Sequence, residues 1–189
     1  YYRRGLPRFL KIKSLLEQGA IGDVRFVNDT FYLRGTESDV AESNWRVDPK
    51  IAGGGYFYDL GSHMIDIIQF LLGDAKSAKG HYSNQTGRYR AEDMVSGTVV
   101  LEGDVHVSCV WNFNCYEKLD RTEIVGDKGK LVFSTFGQEP ILLENQDGMQ
   151  KFHIDNPLHI QQPLIQTIVD DLLGLGECPS TGRTGSRTN

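Results

Sequence analysis

From Lys76 onward the chain is a run of short segments in which apolar and polar residues alternate: "KSAKGHYSN", "DMVSGTVVLEG", "DVHVSCVWNFN", "RTEIVGDKG", "KLVFSTFG", "PILLENQDG" and "MQKFHIDN". A period of two puts successive side chains on opposite faces, which is the pattern of a strand. Gly, Asn and Asp separate the segments, and "LEGDVHV" reads as a tight hairpin. Links this short join antiparallel neighbours, because a parallel crossover needs about a dozen residues. The second half is therefore expected to be an antiparallel meander. In "DVHVSCVWNFN", Val105, Val107, Cys109, Trp111 and Phe113 share one face, and His106, Ser108, Val110, Asn112 and Asn114 the other.

Three segments carry a helical period instead. Pro7 opens "PRFLKIKSLLEQG" and Gly19 closes it, with Phe9, Ile12, Leu15 and Leu16 in register. A second helix is expected from Tyr56 to Leu72, closed by Gly73, and a third over "HIQQPLIQTIVDDLLGLG", with Leu164, Ile168 and Leu172 aligned and Pro163 in its first turn. Between the first two lie one alternating strand, "IGDVRFVNDTFYL", and a long polar loop over residues 34–54. A loop of that length in a compact domain is usually functional. The order of elements gives an α+β class: a single domain over residues 1–189, with one large, mainly antiparallel sheet and helices packed on one face. The polar ending "STGRTGSRTN" is expected to lack structure.

Composition removes several functions. A net charge of −5 gives no concentrated basic surface for nucleic acid. No apolar run approaches the ~20 residues of a membrane helix. Cys109, Cys115 and Cys178 show no CxxC spacing, which gives no zinc signature and suits a reducing, cytoplasmic setting. Gly174-Leu175-Gly176 follows a helical segment and lacks a third glycine, so it is no dinucleotide fingerprint.

What remains is "AGGGYFYDLGSHMID", where a triple glycine runs into the second helix. Asp59 and His63 are four residues apart, hence neighbours on a helix surface, and Asp66 lies on the same flank. A carboxylate beside an imidazole can fix its tautomer and raise its basicity, as a general base requires. Glycines in a row let the chain turn sharply or let another group approach the backbone. A metal held by Asp59, His63 and a remote third ligand has no supporting cluster in the sequence, and a helix that merely packs by its apolar stripe is the plain alternative.

These residues and their flanks resemble the Gfo/Idh/MocA oxidoreductases, the glucose–fructose oxidoreductase and inositol dehydrogenase family. "GGGYFYDLGSHMID" resembles the family's active-site helix, "YYRRGLPRFLKIKSLLEQGAIGDVRFV" the segment after its nucleotide-binding domain, "NWRVDPKIAGGG" its substrate loop, "EIVGDKGKLVF" its late hairpin and "CPSTG" the region before its last helix. The resemblance implies a catalytic aspartate at Asp59 and a catalytic histidine at His63. It implies a sugar-like or polyol substrate and hydride transfer to NAD or NADP in the full-length enzyme. The family's third catalytic group, a lysine in a Glu-Lys-Pro segment, belongs to an N-terminal Rossmann domain, and no such segment is present here. The chain is thus expected to be a C-terminal substrate-binding and oligomerisation domain that binds no cofactor alone and is inactive alone. A free-standing, non-catalytic binding or dimerisation module is the alternative. Tyr1 has no Met before it, as in a chain cut from something longer.

Around the pair, Trp45 and Arg46 are candidate substrate-binding residues: an indole can stack on a sugar face, and a planar guanidinium can bind hydroxyls or a carboxylate. Tyr2 and Arg4, with Arg3, fall where the chain would leave the nucleotide domain and are candidates for the cleft wall. His81, His106, His153 and His159 lack clustered carboxylates and read as structural. The resemblance, and a half-apolar second sheet face, imply a homodimer or tetramer built through the sheet.

Overall fold

A computed structural model describes residues 1–41 and 43–188; Glu42 of the long loop and Asn189 of the tail lie outside the described residues. The elements are α1 (Pro7–Glu17), β1 (Val24–Arg34), α2 (Pro49–Ala52), α3 (Ser62–Leu72), β2 (Ala75–Ser83), β3 (Met94–Leu101), β4 (His106–Cys115), β5 (Leu119–Gly126), β6 (Gly129–Phe133), β7 (Ile141–Asn145), β8 (Gly148–Phe152), α4 (Gln162–Leu172) and α5 (Gly182–Ser186). The strands form one eight-stranded sheet in the order β2-β3-β4-β1-β5-β6-β7-β8. Every pairing is antiparallel except β1 with β4. The expected class is therefore the observed one.

The meander is broken at one place. Tyr116, Glu117 and Lys118 do not close a hairpin between β4 and β5; β1 lies between those strands and pairs with both. The link crosses the end of β1, where Arg34 Nε donates to the Tyr116 carbonyl at 2.7 Å. Two strand spacings are about 9.6 Å, and four Cα steps span up to ~14 Å, so three residues suffice to step over a strand. A short link thus fits both arrangements, and the first strand takes the centre because Val27, Asp29 and Phe31 all bury there.

The buried face of the sheet carries Val107, Cys109, Trp111 and Phe113 of β4, with Ile124, Leu131, Phe133, Ile141 and Leu143 beyond β1. Phe9, Ile12 and Leu15 of α1 and Met64, Ile67, Ile68 and Leu71 of α3 pack on it. The third helix differs from expectation. In α4 only Leu164 is buried; Ile165, Ile168, Val169 and Leu172 are exposed. Its first turn instead backs onto Gly5, where a Cβ would stand 2.9 Å from the Leu164 nitrogen. The tail also differs. Thr181 and Thr184 form a reciprocal capping box that starts α5, Arg187 pairs with Asp74, and Thr188 Oγ1 accepts from Gln69 Nε2 at 3.1 Å. Polar residues with the right spacing cap a short helix rather than leaving the segment loose.

Asp29 is fully buried in the central strand. Its Oδ1 accepts from Thr122 Oγ1 at 2.7 Å, while Oδ2 has no partner. Burial pushes its carboxyl from 3.8 up to about 7, against the Thr122 hydrogen bond. Below pH 3.8 the acid is protonated folded or unfolded and contributes no slope. Between the two values only the unfolded chain releases the proton, so stability falls as pH rises. Asp29→Asn removes that slope, and the variant gains on the wild type by about 4 kcal/mol across the window. Urea unfolding at a series of pH values measures this; parallel curves for the two proteins would refute it.

Candidate active site

Each glycine of the triplet has a different local task. Gly53 ends α2 in the left-handed conformation, φ 82°, after Asp48 has capped the other end by accepting from Lys50 N. At Gly54 a Cβ would stand 2.2 Å from the Tyr58 ring, and at Gly55 it would stand 2.8 Å from the Glu92 carbonyl. The Gly55 N–H donates to Glu92 Oε1 at 2.8 Å. The space beside these glycines is thus filled by the chain's own ring and carbonyl, and the free N–H is given to a carboxylate. The glycine turn itself is therefore not shaped as a phosphate cradle.

The segment Phe57–Gly61 is a π-turn, which passes into α3 at Ser62. The wider turn changes the expected i, i+4 geometry, in which Asp59 would lie over His63. Among the described residues no hydrogen bond joins the two. Asp59 Oδ2 instead accepts from Arg46 Nε at 3.0 Å, and the Arg46 guanidinium lies 4.7 Å from the centre of the Trp45 ring. All three side chains are substantially exposed. Trp45 and Arg46 reach this position because their loop is pinned: Tyr56 donates to Asp39 Oδ1 at 2.6 Å and accepts from Asn44 Nδ2 at 2.9 Å.

His63 sits in an aromatic enclosure. Tyr1, Tyr2 and Phe136 meet it edge-on, with centroids at 5.3, 5.9 and 6.3 Å. Its Nδ1 is buried and has no hydrogen-bond partner. Burial, then the positive charge of Arg3, lower its pKa from 6.5 to about 4, and Asp59 only partly opposes them. The expected rise in basicity is thus reversed in this state, because Asp59 is half-solvated and already shared with Arg46. The ring is neutral at physiological pH and can accept a proton.

Phe136, absent from the sequence-based candidates, is held deliberately. Its loop is gripped from two sides. Asp120 accepts backbone N–H groups of Thr135, Phe136 and Gly137 at 2.8, 2.7 and 3.0 Å. Buried Arg8 donates to the carbonyls of Gly137 and Glu139 and to Ser134 Oγ. Their sequence separation from the loop leaves no local signal for either role. A cleft of about 630 Å³ borders the site, with Leu60, Asp120 and Phe136 in its wall.

Of the two N-terminal candidates, Tyr2 faces His63 and Arg4 does not face an open site. Arg4 is buried in a bidentate pair with Asp66, Nη2 to Oδ1 at 2.7 Å and Nε to Oδ2 at 3.0 Å, and donates Nη1 to the Pro179 carbonyl. The 3₁₀ turn Tyr2–Gly5 sends alternate arginines in different directions: Arg4 inward, Arg3 against the rings of Tyr2 and Phe136. Among the described residues no group of three or more His, Cys, Asp or Glu is placed to hold a metal.

Residues 9–132 match the GFO/IDH/MocA C-terminal domain. The chain belongs to the Gfo/Idh/MocA family. It is 35% identical over 183 residues to Oxidoreductase P35 of Formosa agariphila, covering 95% of this chain and 56% of that protein. The chain thus spans little more than half the length of this relative. It is 32% identical over 73 residues to the levoglucosan dehydrogenase of Pseudarthrobacter phenanthrenivorans, 39% of this chain and 18% of that one. Among solved Gfo/Idh/MocA-like folds, the aldose-aldose oxidoreductase of Caulobacter crescentus, complexed with glycerol, superposes with a TM-score of 0.80 at 19% identity, over 100% of this chain and 57% of that one. An oxidoreductase from Agrobacterium radiobacter in complex with NAD+, L-tartaric acid and magnesium gives 0.79 at 19% identity, over 98% and 57%. The Gfo/Idh/MocA C-terminal fold, an eight-stranded mostly antiparallel sheet with helices, is common to them.

Proposed function

We propose that this chain is the substrate-binding half of an NAD(P)-dependent dehydrogenase that oxidises a sugar, polyol or related hydroxy compound. The observation that carries it is a neutral His63, walled by aromatic rings, one turn from the Asp59–Arg46 pair. A neutral imidazole accepts the hydroxyl proton as the carbon is oxidised. Arg46 binds substrate oxygens through the edge it does not give to Asp59, and Trp45 offers a face for a sugar ring. Tyr2 closes the wall behind the substrate. Asp59, once Arg46 turns to the substrate, is left to stabilise the charged imidazole. The filled glycine turn supports assigning the dinucleotide to a separate N-terminal domain. A solved levoglucosan dehydrogenase complex holding NADH and levoglucosan shares the fold, with a TM-score of 0.79 at 18% identity, and supports the substrate class. Among the described residues no helix is long and apolar enough to cross a membrane, and sparse, unpaired cysteines support a cytoplasmic setting.

The test is nicotinamide reduction by the full-length protein over a panel of sugars and polyols with NAD+ and NADP+. No reduction with any of them sinks the proposal. A non-catalytic binding module is the second reading, favoured by the filled glycine turn, and it predicts polyol binding without turnover.

We further propose a homodimer, or a dimer of dimers, through the open face of the sheet. Phe26 is exposed there, beside Val125 and His106 in register, and half-buried Leu142 lies farther along. An apolar strip across a broad sheet is shielded when two copies stack about a two-fold axis. Light scattering is expected to give at least twice the protomer mass, and Phe26→Lys to lower it to the protomer mass. A wild-type monomer would end this proposal.

A further inference from the structure

Arg3 is a half-buried cation without a counter-ion. Among the described residues it makes no salt bridge, whereas Arg4, Arg25, Arg46, Arg88, Arg121 and Arg187 each pair with a carboxylate. Its Nε is buried with no hydrogen-bond partner. Its guanidinium lies 4.5 Å from the centre of the Phe136 ring and 5.0 Å from that of Tyr2, the same two rings that wall His63. The nearest acid behind Phe136 is Asp120, whose two oxygens are occupied by three backbone N–H groups. Desolvation lowers the pKa of Arg3, and Tyr2 and Asp120 only partly oppose it. An unpaired cation in a partly dry site is costly, and an anion at that position relieves the cost.

We propose that Arg3 is the receptor for a carboxylate on the substrate, so that the substrate is a hydroxy acid of the aldonate or uronate class. This rests on the dehydrogenase reading above and narrows it. The chemistry supports the assignment twice over. A base must become cationic as it takes the hydroxyl proton, and beside an Arg3 with no salt bridge that step places two positive charges together. A substrate carboxylate on Arg3 removes the conflict, so the correct substrate raises the basicity of its own base. The other titratable side chains around His63 are those of Tyr1, Tyr2 and Asp59, the last of which already favours the charged ring.

D-Gluconate and D-glucitol share one carbon skeleton and differ in a carboxylate against a hydroxymethyl. In the full-length protein with NAD+ or NADP+ present, gluconate is expected to bind roughly tenfold more tightly than glucitol, and Arg3→Gln to abolish the difference while Arg3→Lys keeps part of it. NMR titration of His63 supplies a second readout: gluconate raises its pKa in the wild type, glucitol does not, and neither does in Arg3→Gln. Equal binding of the two probes, binding of neither, or an unchanged preference in Arg3→Gln overturns the proposal. If Arg3→Gln does not fold, Arg3→Lys decides: a gluconate preference equal to that of the wild type overturns the proposal. Efficient oxidation of glucitol with no preference for gluconate refutes the carboxylate receptor and leaves the dehydrogenase reading standing. Absence of nicotinamide reduction with every hydroxy compound refutes that reading, while the binding arms still decide the role of Arg3.

Discussion

Replacing His63 by Asn is expected to lower turnover of the full-length enzyme by roughly 10²–10⁴ near neutral pH, the usual contribution of a positioned general base. Asn keeps a hydrogen-bonding side chain of similar reach and removes the proton acceptor, so KM should change little beside kcat. The pH profile separates this from a packing defect. With His63 held at about 4, the acid limb of the free enzyme lies well below the ordinary histidine value of 6.5. The sign for each neighbour follows from its charge. Asp59→Asn removes the group that opposes the lowering and moves the limb further down. Arg3→Gln removes a positive charge and moves it up. An acid limb that stays in place in both variants, or near-normal turnover in His63→Asn, would show that another group takes the proton.

Asp66→Ala is expected to cost roughly 3–5 kcal/mol of stability, because it leaves the Arg4 guanidinium buried with no carboxylate. The pair is almost wholly enclosed, the two side chains being 8% and 1% exposed. It also ties three parts of the chain together: the N-terminal turn through Arg4, helix α3 through Asp66, and the C-terminal tail through the Pro179 carbonyl and Thr188. Taking both charges away is a different matter. In Arg4→Met/Asp66→Leu neither partner remains to be left unpaired, and most of the loss should be recovered, since buried ion pairs gain little over well-packed apolar groups. Urea unfolding of the wild type, the single variant and the double variant checks this. A single variant within 1 kcal/mol of the wild type, against the roughly 3–5 expected for an orphaned buried charge, would show that water reaches Arg4. Activity is a useful control here, because Arg4 does not face His63 and only the fold should suffer.

Much of the architecture follows from local periodicity. The alternation in β3 to β8, the helical stripes of α1 and α3, and the Gly and Asn punctuation each depend on residues close in sequence, and each placed its element to within a few residues. Asp59 and His63 stand out together in the sequence for a similar reason, since both lie in one short segment after an unusual glycine run. What those residues do there was not. A π-turn, set by how Phe57 and Tyr58 pack on Trp111 and Gly54, hands Asp59 to Arg46. The dry ring around His63 needs Phe136, which is supplied by a loop seventy residues away and fastened by Asp120 and Arg8. Arg3 and Arg4 are adjacent and chemically identical, yet one is spent on a buried carboxylate and the other is not. The place of β1 between β4 and β5 is of the same kind, because a three-residue link permits either a hairpin or a step over a strand. Sequence alone determines which segments have a face to bury. Burial, charge partnership and strand order depend on which distant face arrives to cover them, and only the tertiary structure decides that.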